Sequence, residues 1–203
     1  MDSLNLFLVV FITLFLSVQC SSKEQELLAA CSDGDLSIAS KLIGNGTNIE
    51  ARDMDTGLTP LQLACVSGNN NIVALLLDQG ANIEARSLAM DTPLMIAAFH
   101  GRNSTVAYLI TRGAQIDSIN ADGSTALIAA AFAGQTDVVK TLVNLGANFK
   151  VRNRHGANAM DAADFAGYFS TAQVLRNMTG IAFHSLPSLF STSLFLLSAV
   201  YLQ

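Results

Sequence analysis

In the middle of this chain the apolar positions fall into two helical phases for every 33 residues. In residues 55–87, Leu61, Leu63, Ala64 and Cys65 mark a short helix that Gly68 ends. Ile72, Val73, Leu75, Leu76 and Leu77 mark a second, closed at Gly80. Thr59 is placed to cap the first helix, and Pro60 stands where a missing N–H costs nothing. Asn82 to Arg86 is expected to return in extended form to a turn, after which the pattern restarts. Thr59-Pro60-Leu61, Thr92-Pro93-Leu94, Thr125-Ala126-Leu127 and Asn158-Ala159-Met160 recur at a spacing of 33, as do Gly68, Gly101, Gly134 and Gly167. A second glycine series, Gly46, Gly80, Gly113 and Gly146, follows at 34, 33 and 33. Fixed periods of this length mark a solenoid, whose units bury their apolar faces only against neighbours. Small residues at Ala64 and Cys65, Ala97 and Ala98, and Ala130 and Ala131 let neighbouring inner helices approach closely. The predicted fold class is all-α: stacked helix pairs joined by hairpin-like turns, built to present a surface.

These motifs resemble the ankyrin repeat, a turn plus two antiparallel helices with a T-P-L-H-x-A core. The likeness runs over residues 24–179 in five units that start near Glu24, Asp55, Leu88, Ala121 and Arg154. The Gly80–Arg86 run and Gly146-Ala147-Asn148 follow the family pattern closely. The first unit lacks a leading hairpin. The last carries Asp161, Asp164 and Arg176 where apolar or small residues are usual, as capping repeats do. The family's histidine after Thr-Pro-Leu is Gln62, Met95, Ile128 and Asp161 here. The hydrogen bonds of that histidine are therefore expected to be missing, at a cost in stability. The resemblance implies a module that binds another protein, with no enzyme activity, no cofactor and no small-molecule substrate.

Both ends are apolar. Residues 4–18, LNLFLVVFITLFLSV, suit the core of a signal peptide over 1–20 better than a membrane span of about 20 residues. Val18 and Cys20 then occupy the −3 and −1 positions, and cleavage before Ser21 leaves the repeat domain (21–179) intact. Asp2, and a leading segment without Lys or Arg, count against this; a buried helix is the alternative. After Arg176 the chain has no Lys, Arg, Asp or Glu, and it closes LPSLFSTSLFLLSAVYLQ. Residues 180–203 therefore read as a signal for a glycosylphosphatidylinositol anchor, attached at Asn177 or Gly180, or as a short retained membrane helix. The expected location is the secretory pathway and the cell-surface membrane, with an internal membrane such as the endoplasmic reticulum as the alternative.

Charge narrows the partners. The net charge of −5 becomes −4 without residues 1–20, and no basic run is present. Nucleic acid, whose binding rests on phosphate neutralisation, is an unsuitable partner. Lys150, Arg152, Arg154 and His155 gather at one turn, as expected of a solvated hairpin tip. Three sequons, Asn45-Gly46-Thr47, Asn103-Ser104-Thr105 and Asn177-Met178-Thr179, fall near helix ends or turns, where sugar could stand in solvent. Cys31 and Cys65 hold the same register, three residues before a glycine. Stacked helices lie about 10 Å apart and a disulfide needs Cα atoms within about 7 Å. Both are expected to be buried thiols.

No catalytic or metal-ligating spacing is visible. Asp161 and Asp164 share a helical face, as the polar side of a capping helix would place them. The better candidate is a column two residues before each repeat glycine: Val66, Phe99, Phe132 and Phe165. The resemblance implies that these lie toward a concave groove, either as an apolar binding stripe or as core between repeats. The hairpin tips would add specificity through Asp53, Met54 and Asp55; Leu88, Ala89 and Met90; Asn120 and Asp122; and Arg152 and Arg154. Two functions remain open: a tethered protein-binding module, or a structural membrane scaffold that keeps both apolar ends.

Overall fold

The computed structural model describes residues 22–180. The expected signal segment at 1–20 and the apolar tail beyond Gly180 lie outside the described residues. Ten helices follow: α1 (Ser22–Asp33), α2 (Leu36–Gly44), α3 (Pro60–Ser67), α4 (Asn70–Asp78), α5 (Pro93–Phe99), α6 (Asn103–Thr111), α7 (Ala126–Phe132), α8 (Thr136–Asn144), α9 (Ala159–Phe165) and α10 (Phe169–Thr179). No strand occurs among the described residues. Each odd-numbered inner helix packs on the next inner helix, each even-numbered outer helix on the next outer one, and partners pack within each pair.

Local chemistry sets the helix starts. The hydroxyls of Thr59, Thr92 and Thr125 accept from the backbone N–H three residues on, and Asn158 does the same work at the fourth site. Asp35 and Asn69 cap α2 and α4. Register then becomes a core. Leu27, Leu61, Leu94 and Leu127 form one buried column on the inner helices; Leu42, Leu76, Leu109, Leu142 and Leu175 form another on the outer helices. Ala64, Ala97, Ala130 and Ala163, all fully buried, let the inner helices close up between them. Cys31 and Cys65 are free and buried, and burial pushes the Cys31 thiol up to about 12 and raises that of Cys65 as well.

Two expectations are corrected here, the first at Gln62, whereas Met95 and Ile128 have no N–H or O–H to donate at that register. Gln62 replaces the family's histidine without loss of bonding: its Nε2 donates to Ala85 O at 3.1 Å and Asp91 O at 2.8 Å. Its Oε1 accepts from Thr59 N at 2.9 Å, which completes a capping box. An amide carries donors and an acceptor on one planar group, so it can serve its own helix and the next hairpin together. The second correction concerns the run from Asn82 to Arg86, which opens as a turn. Asn82 Oδ1 accepts from Glu84 N, and Ala85 N returns to Asn82 O, so local bonds replace extended backbone.

Polar side chains staple each unit to the next. Asn69 donates to Gly34 O, Arg102 Nε to Val66 O and Gln135 Nε2 to Phe99 O. Glu50 accepts from Asn82 N, Glu84 from Gln115 N and Asp117 from Asn148 N. Lys150 occupies the next place in that carboxylate series and cannot accept, so the ladder stops at the last unit. The staples also explain one glycine requirement. Gly134 has φ +69, and a Cβ there would lie 2.4 Å from the Tyr168 ring.

Candidate interaction surface

Three backbone hydrogen bonds line the hairpin tips up in a row: Leu88 N to Thr56 O, Ala121 N to Ala89 O and Arg154 N to Asp122 O. Arginines brace the same row from below. Arg52 Nη1 reaches Gly57 O and Arg86 O, and Arg86 Nη1 reaches Met90 O and Ile119 O. Ile119 itself holds the register of Arg52, Arg86 and Arg152, and in place of a clamp it presents an apolar side chain, 54% exposed. Sequence reading left Ile119 out, although its spacing from Arg86 and Arg152 was there to be used. Met54, Leu88 and Met90 are exposed beside it at 63%, 72% and 47%. Met90 sits at φ 64, a left-handed conformation that its bond from Arg86 helps to hold.

The other expected tip residues divide by role. Asp53 accepts from the Thr56 N–H and hydroxyl, and the hydroxyl contact foremost holds its carboxyl below the usual range. It forms the turn. Asp55 is exposed. Arg152 pairs with Asp161 at 2.9 Å and donates to Gly156 O, whereas the Arg154 side chain is exposed. Between the tips, Asn120 Nδ2 donates to Asp91 and His155 meets Asp122 at 3.0 Å. Burial raises the Asp91 carboxyl, and the charge of Asp122 adds to this while Asn120 and Arg86 oppose it.

The column before the repeat glycines is graded. Val66 and Phe132 are half-buried and pack against the core. Phe99 is half-buried and meets His100 edge to face, ring centroids 5.3 Å apart. Phe165 is 44% exposed. Burial, then the Arg102 charge, lowers the His100 pKa.

A family model described as ankyrin repeats in three copies matches residues 27–120 and 94–184. The chain belongs to the ankyrin repeat family. A comparison with curated proteins finds no match. Ankyrin repeats are in general protein–protein interaction modules and typically have no enzyme activity. In this ankyrin array, no group of three His, Cys, Asp or Glu among the described residues is placed to hold a metal ion. Among the same residues no helix is long and apolar enough to cross a membrane.

The sequon asparagines of the array are all exposed. Asn45 is the C-cap of α2, Asn103 the first residue of α6, and Asn177 lies in the last turn of α10, accepting from Gln173. Gly180 ends α10 in a left-handed conformation. Asp161 and Asp164, which share a face of α9, are each taken by an arginine, Arg152 and Arg176 respectively.

Proposed function

We propose that this ankyrin array is a non-enzymatic protein-binding module, exported through the secretory pathway and held at a membrane by its apolar C-terminal segment. The observation that carries the binding site is the row of exposed Met54, Leu88, Met90 and Ile119 on consecutive tips. Each such side chain gains about 1.5–3 kcal/mol when fully buried by a partner. Apolar side chains exposed on neighbouring braced turns suit the docking of a protein partner. Asp55 and Arg154, both exposed, supply the charged rim.

Export rests on the apolar run at 4–18, tethering on the uncharged segment after Arg176, and the exposed Asn45 and Asn103 are sites for sugar. Proximity cross-linking on expressing cells tests the binding site. Leu88→Ser with Ile119→Ser should abolish recovery of the cross-linked partner while helicity and thermal unfolding stay unchanged. Undiminished recovery refutes the tip row. An epitope after Ser22 tests the tether: release from intact cells by phosphatidylinositol-specific phospholipase C supports a lipid anchor. An inaccessible epitope refutes surface display, and intact termini in the isolated protein favour the scaffold reading.

A further inference from the structure

The last helix pair differs from its predecessors in how it treats charge. On α8, Asp137 and Lys140 pair in full view of solvent, with side chains 83% and 48% exposed. On α10 the charged residue is Arg176, and it is turned inward onto Asp164, leaving both side chains 13% and 10% exposed. What α10 shows to solvent is uncharged: Phe169 at 67%, Met178 at 36%, and between them exposed Ser170, Gln173 and Asn177. Phe165 and Tyr168, each 44% exposed, add two aromatic rings next to its start. Tyr168 is held firmly, because its ring lies over Gly134 with no room for a Cβ between them.

This face adjoins the segment that carries no charge. Residues 181–203 contain no Lys, Arg, Asp or Glu and begin directly after Gly180. At 11 residues α10 is about 16 Å long. No part of its face is farther than that from the point where the apolar segment leaves. A Tyr ring favours the boundary between headgroups and acyl chains, where its body is buried and its hydroxyl stays wet, and Phe rings on the same face bury into the acyl boundary. A face flanked by Phe and Met, with Ser, Gln and Asn between, matches that boundary better than it matches bulk water.

We infer that the exposed face of α10, with Phe165 and Tyr168, lies on the membrane interface, so that the array meets the bilayer through its last repeat. This rests on the tethering proposed above. It fixes the footing: the last repeat meets the lipid, and the tips with Leu88 and Met54 belong to earlier units of the stack.

Fluorescent labels on the full chain test it. Cys31 and Cys65 are buried, so with Cys20→Ser a single introduced thiol takes an environment-sensitive dye. The sites are Gln173→Cys on α10, Lys140→Cys at the same register on α8, and Lys41→Cys on α2, all exposed. The chain is reconstituted with phosphatidylcholine vesicles carrying shallow spin-labelled lipid. The expected result is a blue shift and loss of emission at position 173, with neither at 140 or 41. Adding Phe165→Ser and Phe169→Ser should abolish that quenching while the chain still floats with vesicles. Flotation with a water-like signal at 173 overturns the inference and leaves the tether standing. Quenching at 41 in place of 173 also overturns it, since the array would hang by its first repeat. A shielded but unquenched 173 means that a second copy covers the face, which overturns it too. Failure to float overturns the tether and the inference together.

Discussion

Gln62 is fully buried and bonds three backbone groups, so its replacement tests how stability is distributed between neighbouring units. Gln62→Leu keeps the volume and removes every bond. Thr59 N and Ala85 O then lie in buried surroundings without partners, each at about 1–3 kcal/mol, while the half-buried Asp91 carbonyl can turn to water. The expected loss is about 3 kcal/mol, a large share of the roughly 5–15 kcal/mol that holds a domain. Gln62→Ala leaves a polar-lined void about the size of one water, which can partner the stranded groups, so the loss should be smaller, about 2 kcal/mol. The alanine variant should thus be more stable than the leucine variant, opposite to the order set by buried apolar area. Urea unfolding followed by far-ultraviolet circular dichroism reads the difference. Amide exchange in α3 and α4 locates it, since loss at one junction of a solenoid need not spread. Equal or higher stability of Gln62→Leu relative to the parent would refute the reasoning and make the three bonds energetically idle.

Gly134→Ala meets both a left-handed φ of +69 and the Tyr168 ring, whereas Gly113→Ala at φ +95 meets nothing within 4 Å. Thermal unfolding should show the first variant worse by about 1–3 kcal/mol, the overpacking share. Asp164→Asn removes the negative charge that the buried Arg176 guanidinium faces and should cost about 3 kcal/mol, seen as faster amide exchange in α10. Asp137→Asn, from a solvent-facing pair, should move stability by less than about 1 kcal/mol. Asp91 is raised by burial, so the folded state holds its proton more tightly than the unfolded chain does. Its contribution is favourable below the ordinary carboxylate range and is lost as pH rises through the raised value. Asp91→Asn should therefore stabilise at pH 7, with the gain disappearing in acid; denaturant titrations at both pH values check this.

Much of the fold is legible along the chain because its determinants are local or periodic. Thr59, Thr92 and Thr125 cap helices with a hydroxyl and an amide three residues apart, and Leu61, Leu94 and Leu127 need only a fixed period to reach one core. The candidate site was legible less evenly. Phe165 is as exposed as an apolar stripe requires, but Phe132 packs against the core, and its sequence pattern is the same. Arg152 reads as a free tip charge until the structure brings Asp161 to it.

What the sequence by itself determined is the unit: its length, its two helices, their caps, and the register that makes five copies stack. A run of about ten residues holds that information, since backbone propensity and apolar spacing act at short range. The tertiary structure alone decided the fate of the polar side chains. Gln62, Arg102 and Glu84 find their partners at separations of 29, 36 and 31 residues, on the neighbouring unit. Whether such a group staples the stack or faces a partner depends on which carbonyl or amide the next repeat brings within reach. It decided likewise that Ile119, Leu88 and Met54 stay exposed although they are apolar. Stacking places tips side by side in the open and helices against helices, and only that geometry separates a surface from a core.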